Sequence, residues 1–264
     1  MSSSVLTDTA SSTTTGTPTG RLYVAWRDPV SRAMVPIARL DRSDTDGTTT
    51  YEYRYLRAAA ASDRFRALVG FPDLRRAYRS NDLFPFFENR LMARTRIDYS
   101  SYLDALGLAV DADPFEVLAR SEGRRETDTF EVFPEPTLSG GVARCRFLVH
   151  GVRHVPGASA AIEMLTVGDQ LAVLPDPQNP ADAQAVLLRD GDFHLLGWVP
   201  RYLTELVHTP LKRLGPDGIE VQVEHVGNPD GPVHLRLLCA LAARWPADCA
   251  PPFRGPDFEP VATR

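Results

Sequence analysis

Lysine is almost absent from this sequence: one residue, Lys212, stands among 29 basic side chains. A Walker-type phosphate loop needs a Gly-Lys-Ser/Thr run. Lys212 sits instead in Pro210-Leu211-Lys212-Arg213, so that chemistry is excluded. Cysteine is nearly as scarce. Cys145, Cys239 and Cys249 are widely spaced, form no Cys-x-x-Cys pair, and read as reduced thiols rather than a disulfide framework or zinc site. No apolar run reaches the roughly 18–20 residues that span a bilayer. No basic start followed by an apolar stretch marks a secretory signal. Both absences point to a soluble protein of the cytoplasm with no membrane partner. An excess of positive charge is missing too. The formal net charge of -5 argues against sequence-blind duplex binding, which rests on many cations neutralising phosphates.

What is present divides into regions. Residues 1–19 are Ser/Thr-rich, cannot bury enough apolar surface to order themselves, and are expected to be disordered. Residues 20–136 read as a strand group followed by helices. Leu22, Val24 and Trp26 alternate at strand spacing, 34–40 continues as a strand, and Tyr51, Tyr53 and Tyr55 share one face of a third. Helices are predicted over 83–92, 99–106 and 114–120, the last opened by Asp113 and Pro114, and a strand closes the region at 129–133. Residues 137–142 have linker composition. From 143 to 245, short strands are predicted at 145–150, 170–174, 185–189, 193–199, 219–226 and 233–238. Helices interrupt them at 158–165 and 201–207, and turn signals such as Asn179-Pro180 and Asp190-Gly191 separate many of the strands. The expected fold class is α+β: a mixed strand/helix module, then a small OB-like six-stranded β-barrel with two helices. Residues 246–264 are expected to be an irregular tail.

In the first region, Leu83-Phe84-Pro85-Phe86-Phe87-Glu88-Asn89-Arg90-Leu91, Arg96, Tyr99 and Pro114-Phe115-Glu116-Val117-Leu118 resemble the N-terminal subdomain of the HipA-type toxin kinases. Phe130-Glu131-Val132-Phe133-Pro134-Glu135 fills the place of its closing strand. The kinase body is missing, with no His-Arg-Asp or Asp-Phe-Gly motif to hold magnesium. The resemblance therefore implies an interaction module, with a kinase-fold protein as partner.

In the second region three blocks follow in order: Gly151-Val152-Arg153-His154, then Asp176-Pro177-Gln178-Asn179-Pro180-Ala181-Asp182, then Gly197-Trp198-Val199-Pro200-Arg201. Together they resemble HIRAN domains, which stand alone in bacteria or at the front of fork-remodelling helicases. The resemblance implies an OB-like barrel that captures the 3′ end of single-stranded DNA. Arg153, His154, Asn179, Asp182, Trp198 and Arg201 are the residues it implies for DNA binding. Asp182 suits the 3′-hydroxyl, Arg153 and Arg201 can fork onto phosphates, and Trp198 or His154 offers a stacking plane. The alternatives are plain structure: Asp182 as a turn cap, Trp198 as half core, Arg201 as the start of a helix. His154 and Ala181 stand where DNA-gripping members place aromatic rings, which implies weaker or altered specificity.

The expected function is a nucleic-acid-binding adaptor without catalysis, metal or cofactor, in a DNA-repair or toxin-antitoxin setting, with a kinase-fold or helicase/nuclease protein as possible partner. The alternative is a protein-interaction or antitoxin-like subunit that binds no DNA.

Overall fold

The computed structural model describes residues 20–125 and 127–262; the stretch 1–19 expected to be disordered lies outside the described residues. In the first module β1 (Gly20–Arg27), β2 (Met34–Thr45) and β3 (Thr48–Tyr55) arise from the alternating segments. The β2–β3 hairpin closes on Asp46 and Gly47, both at positive φ, as the Asp-Gly pair requires. Then come α1 (Arg57–Ala61), β4 (Tyr78–Ser80), α2 (Pro85–Glu88), α3 (Tyr99–Ala105), α4 (Pro114–Ser121) and β5 (Phe130–Pro134). The sheet order is β4-β3-β2-β1-β5, antiparallel throughout. Tyr53 stacks on Phe71 at 3.8 Å, and the buried Tyr55 hydroxyl donates to the Phe71 carbonyl at 2.8 Å. The helix predicted over 83–92 shrinks to the single turn α2. Burying the Phe87 ring beside Tyr53 outweighs helix propensity there.

The second module is a seven-stranded antiparallel sheet in the order β10-β9-β8-β11-β12-β7-β6. Its strands are β6 (Thr137–Ser139), β7 (Val142–Leu148), β8 (Gln170–Pro175), β9 (Val186–Arg189), β10 (Leu195–Trp198), β11 (Ile219–Val226) and β12 (Leu237–Arg244). Two helices accompany them, α5 (Ala158–Glu163) and α6 (Thr204–Leu214). The six-stranded closed barrel expected from the sequence is corrected here. The strand ladder is open: β10, at one end, meets the chain just past β7 only at an isolated bridge between His150 and Trp198. The predicted linker supplies the extra strand: β6 pairs with β7 around Gly140 and Gly141, both at positive φ, in a two-residue hairpin. β12 starts later than 233–238 because Val233–Leu235 is a 3₁₀ turn; its Ala240, Ala242 and Ala243 have weak strand propensity and hid the rest. α6 runs through Pro210, well past the predicted end at 207. Among the described residues no helix is long and apolar enough to cross a membrane.

The two modules share a core. Tyr23 of β1 and Phe133 of β5 are each 1% exposed and belong to the same apolar cluster as Phe147, Leu196 and Val207 of the second module. Phe133 stacks on Tyr202 at 4.1 Å. The segment after β12 is irregular, as expected, but it is packed. Phe253 is buried against Tyr23 and Phe133, Phe258 meets the Tyr23 ring at 5.2 Å, and Val261 donates to the Tyr55 carbonyl at 2.9 Å. The tail thus straps the first module onto the second.

Candidate nucleic-acid interface

The candidate site lies where the open ends of the second sheet touch. Beyond β7 the chain reaches His150, whose backbone exchanges two hydrogen bonds with Trp198, at 2.9 and 2.8 Å. Two glycines permit this approach. A Cβ on Gly197 would fall 2.5 Å from the His150 carbonyl oxygen, and one on Gly151 would fall 2.5 Å from the Trp198 ring. Both take positive φ, at 142° and 70°, which L side chains rarely adopt. These are the glycines of the first and third sequence blocks, so those blocks are spaced by the need to bring the sheet ends together. Gly151 then turns the chain into a 3₁₀ turn, Val152–His154, which carries Arg153 and His154 into solvent.

Trp198 is half-buried, and its indole N–H donates to Asp176 Oδ2 at 3.2 Å. The same oxygen accepts from the Asn179 side-chain amide at 3.0 Å. Asn179 Oδ1 in turn accepts from the backbone N–H groups of Ala181 and Asp182, at 3.0 and 3.2 Å. The Asn179 side chain therefore builds the loop and holds the indole indirectly. Asp182 takes on the turn-capping part too, since its Oδ1 accepts from Gln184 N at 3.0 Å.

Asp182 Oδ2 lies 2.6 Å from Nε of Arg201. The remaining Arg201 nitrogens donate to the carbonyls of Ala181 and Arg32, the latter in the β1–β2 turn of the first module. Asp28 organises that turn by accepting from Val30 N and Ser31 N at 2.8 and 3.2 Å. Sequence reasoning assigned Asp182 and Arg201 separate ligand atoms; the structure engages them with each other. Asn179, Asp182, Trp198 and Arg201 thus form one connected group. Arg153 and His154 stand beside it, bonded to each other at 3.1 Å, and meet it through Gly151 and the Trp198 ring.

Three residues missed by sequence reasoning anchor this region from behind. Glu122, 2% exposed and at φ 61°, follows α4 in the first module. Its carboxylate meets His150 Nε2 at 2.7 Å and accepts from the Tyr202 hydroxyl at 2.6 Å. Burial alone would raise the Glu122 carboxyl, but the charge and hydrogen bond of His150, with Arg124 and Tyr202 adding to them, hold it below its ordinary value. Burial, reinforced by Glu122, pushes the Tyr202 phenol well above its usual range. The only sequence signal was Glu-Gly directly after a helix, which reads equally as an ordinary helix stop. Asp176 was within the quoted motif but was not given a role.

Residues 142–241 match the family model of the HIRAN domain. Among solved structures, a protein from Lactobacillus plantarum is 21% identical, with 39% of this chain and 97% of that chain covered, at a TM-score of 0.29. The HIRAN domain of human HLTF is 17% identical, with 40% of this chain and 81% of that chain covered, at a TM-score of 0.30. No curated protein matches the chain.

Proposed function

We propose that the second module binds DNA, seating a single-stranded or 3′-terminal segment on Trp198 with Arg153 reaching its backbone. The observation that carries this reading is the fixed aromatic plane at the junction of the sheet ends. The Trp198 indole is held by Asp176, pressed against Gly151, and flanked by the exposed Arg153 and His154. A base stacked on such a ring gains about 1–3 kcal/mol. Asp182 gives the site its end preference: a free 3′-hydroxyl donates to the carboxylate, and Arg201, released from it, turns to the neighbouring phosphate. A 3′-phosphate would meet like charge at Asp182. The HIRAN match over 142–241 supports a DNA ligand, the ligand that resemblance to this family implies.

Under the same reading the first module, by its HipA-like sequence blocks, offers a docking surface to a kinase-fold or helicase/nuclease partner. Co-purification from the native host that yields no such protein removes that part. Binding is tested by fluorescence polarisation with 3′-hydroxyl and 3′-phosphate oligonucleotides. Micromolar binding that weakens on 3′-phosphorylation is expected, with the preference lost in Asp182→Ala. Silence toward both oligonucleotides would favour a protein-interaction subunit instead, a reading that the internal Asp182–Arg201 pair already accommodates.

A further inference from the structure

We infer that a DNA strand seated at Trp198 continues onto a basic hollow of the first module, so that both modules share one phosphate track; this rests on the DNA-binding reading above. The hollow is an open cavity of about 860 Å³ whose lining includes Arg90, Arg96, Arg124, Arg125, Tyr102 and His234. Two of these arginines are engaged at short range. Arg90 is buried, paired with Asp128 at 2.6 Å and set over the Phe86 ring at 4.2 Å. Arg96 is paired with Asp98 at 2.8 Å.

The other two are held less closely. Arg124 lies 3.9 Å from Glu122 and 3.8 Å from Glu131, but Glu122 is held at 2.7 Å by His150 and Glu131 at 3.1 Å by Arg27. Arg125 has no ion-pair partner among the described residues, and both side chains are exposed. In a chain with a formal net charge of -5, two adjacent arginines, Arg124 at the edge of ion-pair range and Arg125 unpaired among the described residues, form a local anion site rather than part of a general basic surface.

Position ties this hollow to the HIRAN module in two independent ways. The Glu122–His150 contact pins the Gly123-Arg124-Arg125 loop beside the residue that leads directly into Gly151-Val152-Arg153. On the other side the Val233–Leu235 turn, which carries His234 into the hollow, packs against the Val152–His154 turn. Arg153, His234 and the Arg124–Arg125 pair thus follow one another around the corner between the modules. A flexible polyanion leaving Trp198 past Arg153 meets them in that order. Spaced arginines with no base-reading geometry suit the backbone of a single strand, whose phosphates they neutralise without selecting sequence.

The test uses the full chain and fluorescein-labelled oligothymidylates of about 4 and about 16 nucleotides, spanning the range of site sizes seen for single-strand binding folds. Wild type should bind the longer strand more tightly. Neutralising two phosphate contacts removes about 1.4 from the salt slope, at about 0.7 per contact for single strands. Arg124→Gln/Arg125→Gln should therefore lose on the order of 50-fold for the long strand at about 50 mM salt and about 10-fold at about 200 mM. Binding of the short strand should be unchanged in that variant, and Arg153→Glu should weaken both lengths. Equal affinity of the double variant and wild type for the long strand, with Trp198-dependent binding intact, overturns the shared track and leaves the DNA-binding reading standing. Wild type that binds neither length fails that reading first and takes this inference with it.

Discussion

Replacing Glu122 by alanine tests whether the two modules are welded by a buried polar group. The substitution removes the acceptor of the Tyr202 hydroxyl and the partner of His150, in surroundings where the carboxylate is 2% exposed. Leaving a buried donor without its acceptor costs about 1–3 kcal/mol, and two donors, the Tyr202 hydroxyl and the His150 ring, lose theirs here, about 3–5 kcal/mol together. At about 2–4 °C per kcal/mol for a chain of this size, Tm should fall by about 6–20 °C, which differential scanning calorimetry measures directly. Backbone strain separates this from a merely steric effect. Glu122 sits at φ 61°, where a Cβ costs about 1–2 kcal/mol, so Glu122→Gly loses the same polar contacts but relieves the strain. It should melt above Glu122→Ala by a few degrees, even after the greater chain entropy of glycine is taken off. The carboxyl is held below its ordinary 4.5, so it stabilises the fold fully above that pH. This contribution fades as pH falls through the depressed folded value. The Tm gap between wild type and Glu122→Ala should therefore be fully open above about pH 4.5 and close in stronger acid. A gap below about 2 °C at pH 7, or an alanine variant more stable than the glycine one, refutes the argument.

Two further outcomes follow from the geometry. Gly197→Ala forces a Cβ to within 2.5 Å of the His150 carbonyl oxygen at an unfavourable φ, breaking the bridge that joins the sheet ends. Strain and overpacking together should cost about 3 kcal/mol or more, read from the urea midpoint, and a loss under about 1 kcal/mol would mean the bridge is not a structural constraint. Deleting residues 246–262 strips Phe253 and Phe258 from Tyr23 and Phe133. The shortened chain should bind a dye for exposed apolar surface and lose at least the roughly 2–3 kcal/mol of one buried Phe side chain; an unchanged melt with no dye binding would show that the strap is dispensable.

The elements legible in the sequence were those whose alternation or turn chemistry is local. Tyr51, Tyr53 and Tyr55 face one side because strand periodicity is two, and Asp46-Gly47 closes its hairpin because few other pairs tolerate positive φ twice. Asp113-Pro114 opens α4 as its residue types dictate, with Asp113 accepting from Phe115 N at 2.8 Å. What could not be read locally was whatever depends on distant partners. The predicted linker became β6 only because β7 is there to pair with it, and β12 was masked by alanines that a central position in the sheet makes acceptable. At the site, the six predicted residues do cluster around the sheet ends, but their partnerships were invisible. Nothing local to Asp182 announces Arg201, and nothing local to His150 announces Glu122.

That difference changes the role proposed for the first module. By its resemblance to the HipA-type subdomain it is expected to be a docking unit, joined to the second module by a stretch of linker composition. In the structure the Arg32 carbonyl of its β1–β2 turn accepts from Arg201, and Glu122 holds the His150 whose backbone closes onto Trp198. Both contacts end on residues that shape the candidate site, one in front of it and one behind. A ligand that draws the whole Arg201 guanidinium away from Asp182 also breaks its bond to Arg32, which links occupancy of the site to the set of the β1–β2 turn. Linkage of this kind is reciprocal: a partner that grips the turn and fixes Arg32 raises or lowers ligand affinity by the factor with which the ligand alters the partner's own. Under the function proposed above, a docking surface on the first module would then regulate strand capture, and not only tether it.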